Sequence, residues 1–421
     1  MKNLASALLI LFLVSLTPLF AQLTIDGEIR PRTEYRNGYT TLRVTGTEPH
    51  TVPELVTNQR SLVGFTYKTP GVTGRLSFQD VRTWGEIAPK KDAGTFHLKE
   101  AWFRFNLTDS LVAKLGRQIL SYDDERILAA TNWNNIGTQH DVALFKFKSG
   151  SFQSHIGLAY NNETGGNAFE SGYPVTTYKA LSLIWGEYVF ENRSKLSFIG
   201  LSEWNAKDAL SIDYFNRYTY GIYTELFPFE GFKLISTLHL QNGKNKTGQE
   251  VNAYLISVRG DYSLTDGPTL FSGTDIYSGN DPFGNTPANE TRVFDRIYGA
   301  KHKFLGYMDY FPANTYGIHD IFAGSKMKTG ALSFLEAKVH AFLIPHEFTN
   351  PNTGNTINKY LGTEIDLKYG YKVTKELSFT ILGGIMLAGE SMEIVKNGGN
   401  HESINTFVAM YFTYKPKFKI N

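Results

Sequence analysis

The chain has 421 residues, with 42 Lys and Arg against 40 Asp and Glu, a formal net charge of +2, and no cysteine. So even a balance argues against a nucleic-acid partner, and the missing thiols exclude disulfide scaffolds, cysteine nucleophiles and Cys-based zinc sites. Aromatics are abundant, with 24 Tyr and 30 Phe beside 39 Gly, a usage that fits strands carrying interfacial aromatic belts.

The chain opens with Lys2, an apolar run from Leu4 to Leu16, and Pro18 before Ala21. This reads as a secretory signal peptide over residues 1–21, cut after Ala21, because the apolar stretch is too short to span a bilayer. Beyond it no run approaches the roughly 18 consecutive apolar residues a spanning helix needs, which leaves a closed barrel as the membrane option. In the next segment Leu23, Ile25, Gly27, Ile29, Pro31, Thr33 and Tyr35 alternate with Thr24, Asp26, Glu28, Arg30, Arg32, Glu34 and Arg36. A strand sends successive side chains to opposite faces, so one face is apolar and the other is a ladder of charges. Further along, Val63, Phe65 and Tyr67 oppose Thr66 and Lys68, a bulge is expected near Gln79 to Arg82, and Ala101, Phe103 and Phe105 oppose Glu100, Trp102, Arg104 and Asn106. The same period returns at Ile256, Val258 and Tyr262 against Ser257, Arg259 and Asp261. It recurs at Leu335 to Leu343 against Glu336, Lys338 and His340, and at Leu361 to Tyr371 against Glu364, Asp366, Lys368 and Lys372. Segments of about ten residues suit a tilted strand crossing hydrocarbon.

Tight-turn chemistry appears at 69–71, 108–110, 149–151, 191–193, 228–231, 265–267, 328–330 and 374–375. Nine longer polar connections alternate with these turns: 37–56, 85–95, 119–138, 162–176, 206–212, 243–250, 280–316, 345–358 and 390–403. The expectation is an all-β, antiparallel up-and-down transmembrane barrel of eighteen strands, give or take two, filling residues 22–421 as one domain. Both termini fall on the short-turn side.

At Gly116-Arg117-Gln118 and Tyr122-Asp123-Asp124-Glu125-Arg126, followed by Trp133 and Asp141, the chain resembles the alginate-export family of outer-membrane proteins. Further matches are Tyr298-Gly299 with His302 and Phe304, then Asp320, His340 with Phe342, and Gly362 with Glu364 and Asp366. The resemblance implies a monomeric eighteen-stranded barrel with an arginine-rich pore for an acidic polysaccharide. Here the inward set is mixed, with Arg30, Arg32, Arg36, Arg60, Arg104 and Arg259 beside Asp26, Glu28, Glu34, Glu100, Glu364 and Asp366, a departure from a strongly cationic conduit.

Pore-facing arginines attract carboxylates and phosphates through a planar, permanent charge whose field a narrow lumen focuses. Arg30, Arg32, Arg36, Arg104, Arg117 and Arg126 are the expected substrate-facing set, against the blander reading that each neutralises a neighbouring acid. Trp102, Trp84 and Trp133 are candidates for saccharide contact, whereas Tyr218, Tyr220, Tyr369, Tyr371, Phe412 and Tyr414 share the lipid parity. Asp123, Asp124 and Glu125 are expected to fold inward as a constriction, pairing with Arg117 and other lumen arginines, rather than to hold calcium, since they lack a calcium loop's spacing. His140-Asp141, His319-Asp320 and His346-Glu347 raise metal binding or hydrolysis, but no motif marks a nucleophilic serine. The reading is a Gram-negative outer-membrane channel passing an anionic or carboxylated solute, such as an acidic saccharide, with no cofactor, no metal and no nucleic acid. Its surroundings are outer-membrane lipid, and no periplasmic partner is legible. A plugged structural or surface-binding barrel ranks second and a barrel hydrolase third.

Overall fold

In the computed structural model, residues 21–420 are described except 45–51, 92–93, 95, 162–176, 208–212, 282–285, 313–314, 350–353 and 355. The expected signal peptide therefore lies almost wholly outside the described residues. The wall is built of eighteen strands: β1 (Gln22–Asn37), β2 (Glu54–Lys68), β3 (Val72–Thr83), β4 (Phe96–Asn106), β5 (Leu111–Gln118), β6 (His140–Ser149), β7 (Phe152–Tyr160), β8 (Ala180–Val189), β9 (Lys195–Ala206), β10 (Tyr214–Leu226), β11 (Phe232–Lys244), β12 (Glu250–Ser263), β13 (Thr269–Tyr277), β14 (Ile318–Gly330), β15 (Ser333–Leu343), β16 (Tyr360–Lys372), β17 (Leu377–Ala388) and β18 (Asn405–Tyr414). Each pairs antiparallel with the next. The first meets the last through Thr33 opposite Met410, and a short continuation, Lys417–Ile420, pairs with the start of β1. A closed ring leaves no unpaired strand edge, which hydrocarbon demands because it offers no water to satisfy backbone groups.

Seven of the eight tight turns fall where the turn chemistry places them, and the nine long connections lie between the expected strands; the eighth turn, expected at 328–330, lies after Gly330, because β14 continues through those residues to its end. Parity holds in β1: Ile29 and Tyr35 face outward while Glu28, Arg30, Arg32 and Glu34 are buried inside. Tyr218, Tyr371, Phe412 and Tyr414 are likewise exposed on the outer surface. The β2–β3 register is regular through Gln79 to Arg82. The bulge instead lies on β4, where Ser77 opposes Glu100 and Phe78 opposes Leu98, so that Lys99 is the extra residue and both Lys99 and Glu100 point inward. A second slip skips Leu361, because Leu343 opposes Tyr360 and Phe342 opposes Gly362. Leu361 is thereby fully buried instead of sharing the lipid face.

The interior is not the uniformly polar wall that alternation alone suggests. Leu181, Leu183 and Trp185 of β8, Ile199 and Leu201 of β9 and Leu255 of β12 point inward and are buried in one apolar cluster. They are covered by two long connections folded into the barrel, which supply Leu120, Ile127 and Leu128 from one and Leu305, Met308, Tyr310 and Phe311 from the other. The short helix α1 (Glu390–Val395) adds Met392.

Ile256 lies at the middle of β12 on the outer surface. Ile256→Arg should therefore cost the folded barrel about 2–4 kcal/mol in lipid vesicles, the usual penalty for a midplane cation. Denaturant unfolding monitored by tryptophan fluorescence checks this, and an unchanged midpoint would mean this face does not meet hydrocarbon.

Candidate functional site

The connection 119–139, between β5 and β6, crosses the lumen and is tied at both ends. On one side Arg30 donates to Asn132 O (2.8 Å) and Asn135 Oδ1 (2.9 Å), and Arg32 donates to Trp133 O at 2.5 Å. Gln79 and Lys99 both donate to Ile136 O, at 2.7 and 3.1 Å. On the other side Trp185 Nε1 and Ser197 Oγ donate to Asp123 Oδ1 at 2.9 and 2.6 Å, and Thr237 Oγ1 donates to Asp124 Oδ2 at 2.7 Å. Burial pushes the Asp123 carboxyl above its ordinary pKa, against the pull of the Ser197 and Trp185 donors. Arg126, fully buried, spans Asp124 (2.9 Å), both oxygens of Asp275 (2.8 and 2.9 Å), Ser257 Oγ (2.8 Å) and Tyr277 OH (2.5 Å), with Phe304 3.9 Å from its guanidinium carbon.

The connection 278–317, between β13 and β14, packs on the first. Leu128 and Tyr298 form a parallel bridge, and Ala129 N donates to Tyr298 O while Tyr298 N donates to Ile127 O. The approach is close enough that a Cβ on Gly299 would lie 2.0 Å from Arg126 O, so only glycine fits there. Lys303 reaches Asp124 O and Glu125 Oε2, both at 3.0 Å, and His302 stacks on Trp133 at 3.6 Å. Farther along, Met308 N donates to Glu364 Oε1, and Tyr39 bonds Asp309. Buried behind this contact, His340 lies between Asp320 (2.8 Å) and Asp366 (3.6 Å).

Two of the cavities among the described residues lie beside these infolded segments. The inner one, about 930 Å³, opens toward the short-turn end and is lined by Arg259, Lys301, Lys303, Lys326, Lys338 and Lys368 against Glu125, Asp261, Asp309 and Glu336. The outer one, about 630 Å³, lies toward the long connections and is lined by Arg117, Arg217, Lys246 and Arg296 against Asp141, Glu203 and Asp295. Cations outnumber carboxylates in both. The cavities adjoin, sharing Thr138, Ile297, Tyr298 and Pro312 in their linings. Ile297 there has φ 34°, a strained conformation for a β-branched residue, and the Tyr298 hydroxyl is held by Glu203 Oε1 at 2.7 Å.

The sequence-predicted arginines divide by burial. Arg30, Arg32, Arg60 and Arg126 are buried and engaged by protein groups, Arg60 holding Glu28 at 2.5 Å. Their guanidinium groups anchor the infolded segment and do not face open lumen, which corrects the expectation for Arg30, Arg32 and Arg126 and matches the neutralising alternative. Arg36 pairs with Glu34 (2.6 Å) and Glu54 (3.1 Å) near the long-connection rim. Arg117 lines the outer cavity and pairs with Asp141 at 2.9 Å, so it does not meet the Asp123–Glu125 block as expected. Arg259 lines the inner cavity, paired with Asp261 at 2.5 Å. Arg104 is exposed, Glu100 is held by Arg75, and Trp102 faces inward beside Glu100. Trp133 has Arg32 on one contact and His302 on another, so its ring is taken by protein. The acid block does fold inward, but Asp124 serves Arg126 and only Glu125 lines a cavity. Among the described residues no cluster of His, Asp or Glu is arranged to hold a metal. Arg217 and Arg296 were missed, and Tyr298 was singled out only as part of the family resemblance, not for a place in the lumen. Arg217 sits between outward tyrosines at lumen parity, a legible signal, whereas Arg296 and Tyr298 lie in an aperiodic connection.

No family model and no curated protein matches the chain, so the resemblance to the alginate-export family gains no support from them. Solved structures do match in fold. OpdK of Pseudomonas aeruginosa with vanillate aligns at TM-score 0.62 and 9% identity over 94% of this chain and 99% of that one. The outer membrane protein OprD of Pseudomonas aeruginosa aligns at 0.60 and 13%, covering 94% of each chain. OccAB1 of Acinetobacter baumannii aligns at 0.61 and 12%, over 94% and 97%. The shared feature is the fold, a closed antiparallel β-barrel, here with apolar side chains exposed on its outer face.

Arg126→Met should strand Asp275 and cost about 3–5 kcal/mol, the usual result of breaking a buried pair. Arg126→Met with Asp275→Leu should recover much of that loss. Denaturant midpoints of the two variants decide it, and equal midpoints would mean the pair does not hold the segment.

Proposed function

We propose that the protein is a diffusion channel for small anionic solutes, carboxylates in particular, with an acidic saccharide of one or two units within its range. The observation that carries this is the pair of adjoining cation-rich cavities that share Thr138, Ile297, Tyr298 and Pro312, a shared lining this reading takes as the constriction between them. A solute passing this point exchanges water for fixed Arg and Lys donors, and the acids among them keep binding weak enough for exit. OpdK, similar in fold, was solved with vanillate, a carboxylate, which favours this solute class here. Long connections occupying the lumen favour a small solute over a polymer. The barrel closes within one chain, so a single chain suffices to form the pore. Nothing in this reading calls for catalysis, and the protein acts as a channel and not an enzyme.

The infolded connections also bear on the second reading, a plugged barrel, and conductance separates the two. In planar bilayers the protein should pass current with a reversal potential favouring anions. Lys338→Glu with Lys368→Glu should move that potential toward cations, since both face the inner cavity. A silent wild-type barrel would favour the plugged reading, and unchanged selectivity would mean the inner cavity lies off the path.

A further inference from the structure

Most inward-facing arginines of the wall have a carboxylate partner: Arg30, Arg32, Arg36, Arg60, Arg75, Arg217 and Arg259 all do. Among the described residues Arg104 has none. On β4 and β5 Arg104 stands directly opposite Lys114, and on β6 Lys146 sits opposite Val112, one diagonal step from Lys114. The alternation of these strands puts all three inside, because Phe103, Phe147 and Phe105 take the outward positions. Among the described residues none of the three has a carboxylate within ion-pair distance. Glu100, the acid nearest by register, is held at 2.9 Å by Arg75, which also takes Asp26, and it accepts from Trp102 Nε1. Lys114 is left over the Trp102 ring, 3.9 Å from its centroid, and His155 opposite Lys146 bonds Tyr122.

Like charges directly across a strand pair destabilise it, and a half-buried ammonium without a counter-ion adds to the cost. Three such groups on adjoining strands, with no acid between them, form an electrostatic hole that an anion completes. Their position is also accessible: Arg104 is exposed, and the turn at Leu107 to Ser110 lies immediately beyond. Short turns face the periplasm in barrels of this kind, so the cluster lies at the periplasmic mouth, separate from the two cavities already described.

We infer that Arg104, Lys114 and Lys146 form a binding site at the periplasmic mouth for a small solute carrying two or more negative charges, phosphate-bearing or polycarboxylic. A single carboxylate neutralises one of three cations, whereas a multivalent anion bridges the fork of Arg104 and the two ammonium groups at once. The Trp102 indole flanks the site and limits its width. This rests on the channel reading only for how the solute arrives.

The test is calorimetric titration of pyrophosphate, with citrate and acetate as comparators, into the detergent-solubilised full-length barrel. Pyrophosphate and citrate should bind saturably and acetate should not. Lys114→Gln with Lys146→Gln should weaken pyrophosphate binding about tenfold or more, as the loss of two charge-assisted contacts implies. Lys114→Arg with Lys146→Arg should retain it, and Lys90→Gln with Lys91→Gln, which removes the same charge from an exposed connection, should leave it within about twofold. Heat-modifiable electrophoretic mobility verifies that each variant keeps its barrel. Absence of saturable binding in the wild type, or equal weakening in the 90/91 control, overturns the site. Binding without bilayer current would overturn the channel reading and leave the site standing.

Discussion

A strand in hydrocarbon has no water to turn to, so every backbone N–H and C=O of the wall must find its partner in a neighbouring strand. The pairing of β1 with β18 meets that demand, and much else follows from it. Once the ring is shut, the two faces of each strand see different solvents. Ile29, Val258 and Phe412 can stay apolar and unpacked by protein on the outside, while Glu28, Arg30 and Arg32 are enclosed by it. The closed wall also fixes a finite interior, and its contents decide what can pass.

Those contents are held by charge. Buried ion pairs contribute little net stability against well-packed apolar groups, but they are specific, because a buried charge without its partner is expensive. Arg126 illustrates this. Its guanidinium touches Asp124 on its own segment, Asp275 and Ser257 on the wall, and Phe304 on the second infolded connection. One side chain thus registers three pieces of chain at once. Arg30, Arg32 and Lys99 do the same at the opposite wall by donating to backbone carbonyls of the crossing segment. The segment around Tyr298, between the two cavities' linings, is positioned by these anchors, and the strain at Ile297 is tolerated because its surroundings are so firmly tied.

The arginines that look most like a conduit from their spacing are therefore mostly fasteners, and the cations left for solute lie elsewhere. Arg30 and Arg32 have the same parity, residue type and strand context as Arg104, yet the first two meet the infolded segment and the third meets open space. Nothing in the local sequence distinguishes them. The difference is set by a connection a hundred residues away along the chain.

Period-two alternation with turn chemistry was enough to determine the barrel, a strand count of eighteen give or take two, all but one of the tight turns, the alternation of short and long connections, and which residues of β1 face inward, because these depend only on neighbours in the chain and on the two solvents. Alternation failed where one residue is inserted, at Lys99 and Leu361, since a bulge leaves no mark in composition. It also failed at Leu181, Leu183 and Leu255, apolar at inward positions because a folded-in segment covers them. How connections 119–139 and 278–317 enter the lumen, and hence which charges are spent on the protein and which remain for a solute, was decided only by tertiary structure. Both segments are aperiodic, and their partners are scattered over strands from β1 to β16, so the energies that place them exist only once the wall has closed around them.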